Sequence, residues 1–410
     1  MAPAPCVVLD RTVPFRDHPR DTEPPSLEAP GVVGGNISAQ PLSLQDLKST
    51  VGDYLMAMTP VKHLVDPPGV SRLTMLRPPS SHWVPKFGRR MQSGFVAAAD
   101  NCLVVIYAGT FRPGASFSGW YLLLDLESCS SRPVPGIPCS SIGPSATSAG
   151  YGTAVLALPR GGAAPLTFIL AELFFEFPRA AQGLTSGRLC LWNSQHEQWV
   201  YKMGDLPRQV CTTWRAHMTF PVLSRFLLCW VDLLHGLLLC DLGRHLDEVD
   251  SVLDMSFVPL PTNSCLQYAQ ELLANPEDFR SMACVHGAIK FLTMDGFGAA
   301  ISLITYTLHL DGSSPSWTKD TVLRLADLWA DETYISTGMP QIMPLFPILS
   351  RQEHDIIYLV IPGQVEIEEG YRVRRCKLLL SVDTRKAKVV STDRENHPET
   401  LFSSRYLITF

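Results

Sequence analysis

Few residues of this 410-residue chain are spaced for known chemistry. His245-Leu-Asp-Glu-Val-Asp250 gathers one imidazole and three carboxylates, a donor set able to hold a divalent cation. The same composition reads more simply as a solvated acidic loop. His196-Glu197 has no second histidine at the metalloprotease spacing. Gly296-Phe-Gly298 lacks the third glycine of a dinucleotide loop, and the serines of 114–119 are off register for a nucleophile elbow. His235 and His286 fall in turns, where imidazoles are usually solvated. Glu366-Ile-Glu-Glu369 with Arg372, Arg374 and Arg375 reads as a hairpin with cross-strand ion pairs. On these patterns no catalytic residue, metal set or cofactor is assigned.

The elements that would position any site are strands. Arg225-Phe-Leu-Leu-Cys-Trp-Val-Asp-Leu-Leu-His-Gly-Leu-Leu-Leu-Cys-Asp241 is apolar enough to suggest a membrane helix, yet Asp232, His235 and Gly236 interrupt it. It reads as a β-hairpin of two strands covered on both faces, with Asp232 to Gly236 as the turn. An apolar strand ending in Asp or Asn recurs at Asp125, Asn193, Asp241, Asp311 and Asp383. Such a residue can accept a backbone N–H two positions on and tolerates left-handed geometry, so it starts a return turn. Six residues after Asn193, Asp311 and Asp383 come Trp199, Trp317 and Val389, placed to pack on a neighbouring sheet. The shortest separation, 48 residues from Asn193 to Asp241, is close to one four-stranded propeller blade, and the others add an insertion.

The expected fold is therefore all-β, a β-propeller of six blades whose last blade is closed by strands from both termini. Insertions leave five or seven blades open, and two stacked β-sandwiches divided near residue 205 are the alternative. Residues 1–60 read as an N-terminal strand (Cys6 to Phe15) and a proline-rich linker with a short helix over Leu42 to Met58; residues 61–410 form the propeller. In that architecture the loops between second and third strands share one face. Those loops carry Phe111, Arg112, Phe117, Arg179, His235, Phe297 and Tyr371, and exposed Arg and aromatic residues are common interface anchors.

Composition narrows the partners. A net charge of -5 without a sustained basic run argues against nucleic acid. No clean 18-residue apolar run argues for a soluble protein. Eleven cysteines include no Cys-x-x-Cys pair, and Cys190, Cys229, Cys240 and Cys284 lie within strands as small apolar side chains, which suits a reducing compartment. The expectation is a monomer of the cytoplasm or nucleus that binds another protein, with no membrane partner.

Val7-Val-Leu-Asp-Arg-Thr-Val-Pro-Phe15, Leu64 to Leu73, Ala98 to Ile106 and, above all, Phe226 to Asp241 resemble the grass-expanded plant family called domain of unknown function 1618. Met282 to Phe291 and Thr305 to Leu310 with Trp317 are similar to it as well. The resemblance implies no activity and no catalytic residues. Relatives with an F-box would imply target recognition with a ubiquitin ligase, but here Leu42 to Met58 supplies a single helix. A ubiquitin-ligase recognition component and an enzyme with its site in the propeller channel are the alternatives to a non-enzymatic protein-binding module.

Overall fold

The structure, a computed structural model, describes residues 7–17, 44–77, 93–108, 119–138, 146–158, 167–176, 186–243, 254–262, 275–296, 298–311, 314–368, 371–393 and 407–409. The N-terminal stretch read as one strand is two, β1 (Val8–Asp10) and β2 (Thr12–Arg16). Asp10 Oδ1 accepts the Thr12 N–H at 2.8 Å and breaks the strand at Arg11. The helix α1 (Leu44–Ala57) follows, then β3 (Thr59–His63), β4 (Val70–Leu76), β5 (Ser93–Asp100), β6 (Leu103–Ala108), β7 (Trp120–Asp125) and β8 (Ser130–Val134). With the C-terminal β25 (Leu407–Thr409), they form one sheet in the order β25-β1-β4-β2-β5-β6-β7-β8, with β3 on β4. Both ends of the chain thus meet in this sheet, and Tyr54, Leu55 and Met58 bury the end of α1 against its core.

Four further sheets have four strands each, hydrogen-bonded in chain order or its reverse. They are β9 (Ala146–Ala157), β10 (Phe168–Glu176), β11 (Ser186–Asn193) and β12 (Gln198–Asp205); then β13 (Met218–Val222), β14 (Leu227–Asp232), β15 (Gly236–Asp241) and β16 (Met255–Pro259). Next come β17 (Arg280–Val285), β18 (Ala288–Asp295), β19 (Ser302–His309) and β20 (Ser316–Arg324), the helices α2 (Leu325–Ala330) and α3 (Glu332–Ile335), and finally β21 (Leu345–Leu349), β22 (Ile356–Glu368), β23 (Tyr371–Asp383) and β24 (Lys388–Asp393). The β22–β23 register sets Glu366 opposite Val373 and Arg372 opposite Ile367, so the ion pairs expected there are not directly opposed.

Alternation along each strand explains how the sheets stack. In the β14–β15 hairpin, Leu228, Trp230, Leu238 and Cys240 enter a core shared with β9–β11, whereas Cys229, Val231, Leu237 and Leu239 enter one shared with β17–β19. Period-2 side chains covered on both faces leave no polar positions, hence the near-continuous apolar runs. The same logic joins β5–β7 to β9–β10, and β17–β20 to β21–β24 together with Val8 and Val70. At about 25 cal/mol per Å² of buried apolar area, these shared faces are the main stabilising contribution.

The return turns follow a common plan. Asp125, Asn193, Asp241 and Asp383 each accept, through Oδ1, the N–H two residues on at 2.8–3.0 Å. The left-handed residue, however, is not the Asp or Asn itself. It lies four positions later, at Cys129 (φ 54°), Glu197 (φ 52°) and Ala387 (φ 53°). Trp199 and Trp317 then donate their indole N–H to Pro135 O and Pro259 O of the preceding sheets, both at 2.8 Å.

Candidate functional site

The first strands β5, β9, β13, β17 and β21 adjoin one another, and they run the same way. Gly150 and Ala216 form a parallel bridge, and Thr219 Oγ1 donates to Thr153 O at 2.6 Å in the same register. At the opposite ends of these strands, Asp100 accepts the Ala157 N–H at 2.9 Å and lies 3.8 Å from Arg351, just past β21. Because β5–β8 and the strands of each four-stranded sheet pair antiparallel, the second strand of each set runs back to the end where the first strands begin, and the third starts from that end.

Between the first strands lies a cavity of about 70 Å³, lined from Arg11, His217 and Glu277 near their starts to Ala99, Cys284 and Arg351 toward their far ends. Arg11 stands at the break between β1 and β2, its carbonyl accepting the Val96 N–H of β5 at 2.7 Å, and its side chain lines the cavity. Its guanidinium carbon lies 5.8 Å and 5.7 Å from the centres of the Phe95 and Tyr151 rings, themselves stacked at 5.8 Å. The residue is 5% exposed, yet its side chain makes no hydrogen bond or ion pair among the described residues, and Nε is fully enclosed. Burial pushes the Arg11 pKa below its usual value, against the pull of Tyr151 and the carboxylate of Glu277. Glu277 is 3% exposed and lines the same cavity, again without a hydrogen-bond partner among the described residues.

Ser281 adds an enclosed hydroxyl with no partner, and His217 stands at the rim. The Leu233 N–H donates to His217 Nδ1 at 3.2 Å, so although Asp232 Oδ1 is 3.7 Å away, the imidazole hydrogen belongs on Nε2. Arg280 is not available to a ligand in the same way: it donates to Leu233 O at 2.7 Å and to Thr293 Oγ1 at 3.2 Å. Toward the far ends of the strands, Cys284 also lines the cavity, its thiol pKa raised by burial.

Of the residues expected at a binding face, Phe111, Arg112, Phe117, Arg179 and Phe297 lie outside the described residues. Tyr371 opens β23 opposite Glu368. His235 closes the β14–β15 turn, its Nδ1 2.9 Å from Oδ2 of the buried Asp232. Asp232 also accepts the N–H groups of Arg215 (2.8 Å), Leu234 (2.7 Å) and His235 (3.2 Å), which accounts for a carboxylate inside an apolar hairpin. His286 Nε2 is hydrogen-bonded to Gln352 O at 2.6 Å. The acidic segment 245–250 is outside the described residues. Cys102, Asp125 and Glu127 bring ligand atoms within 4.8 Å of one another, but the Asp125 carboxylate already holds its turn.

Arg11 and Glu277 were not singled out by sequence, because neither sits in a motif and they come from distant segments. Glu172 had a usable signal, a lone carboxylate in Phe-Ile-Leu-Ala-Glu-Leu-Phe-Phe. It is buried between sheets, where Tyr121 Oη and Thr153 Oγ1 donate to its Oε2 at 2.7 and 2.6 Å. Burial raises its pKa to about 7 against those two hydrogen bonds.

Residues 230–358 match the family model described as "Protein of unknown function (DUF1618)". The match opens at Trp230 in the central hairpin and closes at Tyr358 in β22. No curated protein matches the chain. Among solved structures it is similar to the β-propeller domain of Cps50 (Swd1) from Myceliophteria thermophila, at 9% identity and a TM-score of 0.31, covering 77% of this chain and 98% of that one. It is also similar to PorZ of the Porphyromonas gingivalis type-IX secretion system, at 9% identity and a TM-score of 0.32, covering 82% of this chain and 45% of that one. With TM-scores this low, the architecture rests on the chain's own strand pairing.

Proposed function

We propose that this chain is a six-bladed β-propeller acting as a non-enzymatic module that binds another protein through the face where its first strands begin. The first blade is built from β1–β4 with β25. Support for six blades comes from the succession of shared cores, which runs from sheet to sheet and returns through Val8 and Val70. Radial sheets arranged this way protect their edges only if the ring closes.

The observation that carries the binding face is the common direction of the first strands, which directs the second-to-third connections to one side. In the fully described connection, β14 to β15, Leu234 is 45% exposed beside His235. Loops held on a rigid scaffold are where binding residues concentrate. The test uses the full chain as bait against a variant carrying Arg112→Ala, Phe117→Ala, Arg179→Ala and Tyr371→Ala. A captured protein is then purified and titrated against both. Loss of affinity in the folded variant supports this face; equal affinity places the interface elsewhere.

A further inference from the structure

We propose that the cavity between the first strands binds a small zwitterionic α-amino acid, its carboxylate on the Arg11 guanidinium and its ammonium on the Glu277 carboxylate. Burying a charge without a partner is costly, and these two oppositely charged side chains face one cavity with no ion pair between them, whereas the other charged lining residue, Arg351, lies 3.8 Å from Asp100. A simple anion would answer Arg11 and leave Glu277 unmatched; a simple cation would do the reverse. A molecule bearing both charges satisfies each of them.

The surroundings agree with that chemistry. Phe95 and Tyr151 hold the guanidinium by its π-contacts, while its in-plane N–H groups have no acceptor among the described residues. Met218, Phe220 and Met282 supply apolar wall. At roughly 10–15 Å³ per water, a volume of about 70 Å³ accommodates about five to seven waters, the size of an amino acid with a very short side chain. The site stands on the cavity alone and does not require a protein on the loops.

The experiment is calorimetric titration and thermal shift of the purified full chain with glycine, alanine and serine, beside propionate and ethylamine as single-charge controls. At least one zwitterion is expected to bind saturably and raise the Tm, with both controls weaker. Glu277→Gln preserves shape and removes one charge; it should weaken the zwitterion on the order of tenfold or more and shift preference toward propionate. Arg11→Met should abolish binding of both. Should Arg11→Met fail to fold, the preference switch in Glu277→Gln decides alone. No saturable heat with any zwitterion up to about 10 mM, as for a cavity holding only a water-bridged pair, would overturn the proposal. So would an unchanged preference in Glu277→Gln.

Discussion

Glu172 shows how one buried ionisable group can impose pH dependence on the fold. Its folded pKa, about 7, lies above the ordinary 4.5, so folding favours the protonated acid. The stabilising contribution is complete below the unfolded pKa and is lost as pH rises through about 7. Glu172→Gln keeps an acceptor for Tyr121 and Thr153 without the charge. Its stability relative to the wild type should therefore rise between pH 5 and pH 8, by on the order of 3 kcal/mol, as measured by denaturant unfolding at each pH. An unchanged difference across that range would show that Glu172 ionises as freely folded as unfolded. The thiols behave differently: burial pushes Cys190 and Cys240 up to about 12. Native-state alkylation should mark the exposed Cys129 long before either.

Among elements, the repeated return turn is the informative unit. Its Asp or Asn was legible from the sequence because a side-chain acceptor two residues upstream of an N–H is a local property. The left-handed position was not, since Cys129, Glu197 and Ala387 share no side-chain chemistry that favours it. Ala387→Gly should consequently stabilise the protein by up to about 1 kcal/mol, the strain relieved being partly offset by the entropy of glycine. A lower Tm for this variant would count against strain there. Gly236 answers to a different constraint: at φ 153°, a Cβ would sit 2.3 Å from Val258 O on the neighbouring β16. Gly236→Ala should cost about 3 kcal/mol in chemical denaturation, by pushing β16 off β15.

For the whole molecule, the meeting of β1 with β25 and β4 predicts that the N-terminal strands are integral to the fold. Deleting residues 1–17 would uncover the edges of β4, β5 and β25 and remove Leu9, Val13 and Phe15 from their core. Size-exclusion chromatography should then show aggregation in place of the wild-type elution profile. A monodisperse truncated protein with unchanged Tm would mean that β4 and β5 pair adequately by themselves.

Strand positions, turn chemistry and two-sided burial were readable in the residues alone because they depend on alternation and on contacts a few positions apart. The hairpin from Leu227 to Asp241 shows this most clearly, its apolar runs and its Asp232 turn both appearing as read. The break at Arg11 is as local as the other Asp turns, but only the tertiary structure aimed that arginine inward. It alone brought Glu277 into the same cavity, since opposing charges from distant segments meet only after the sheets have packed.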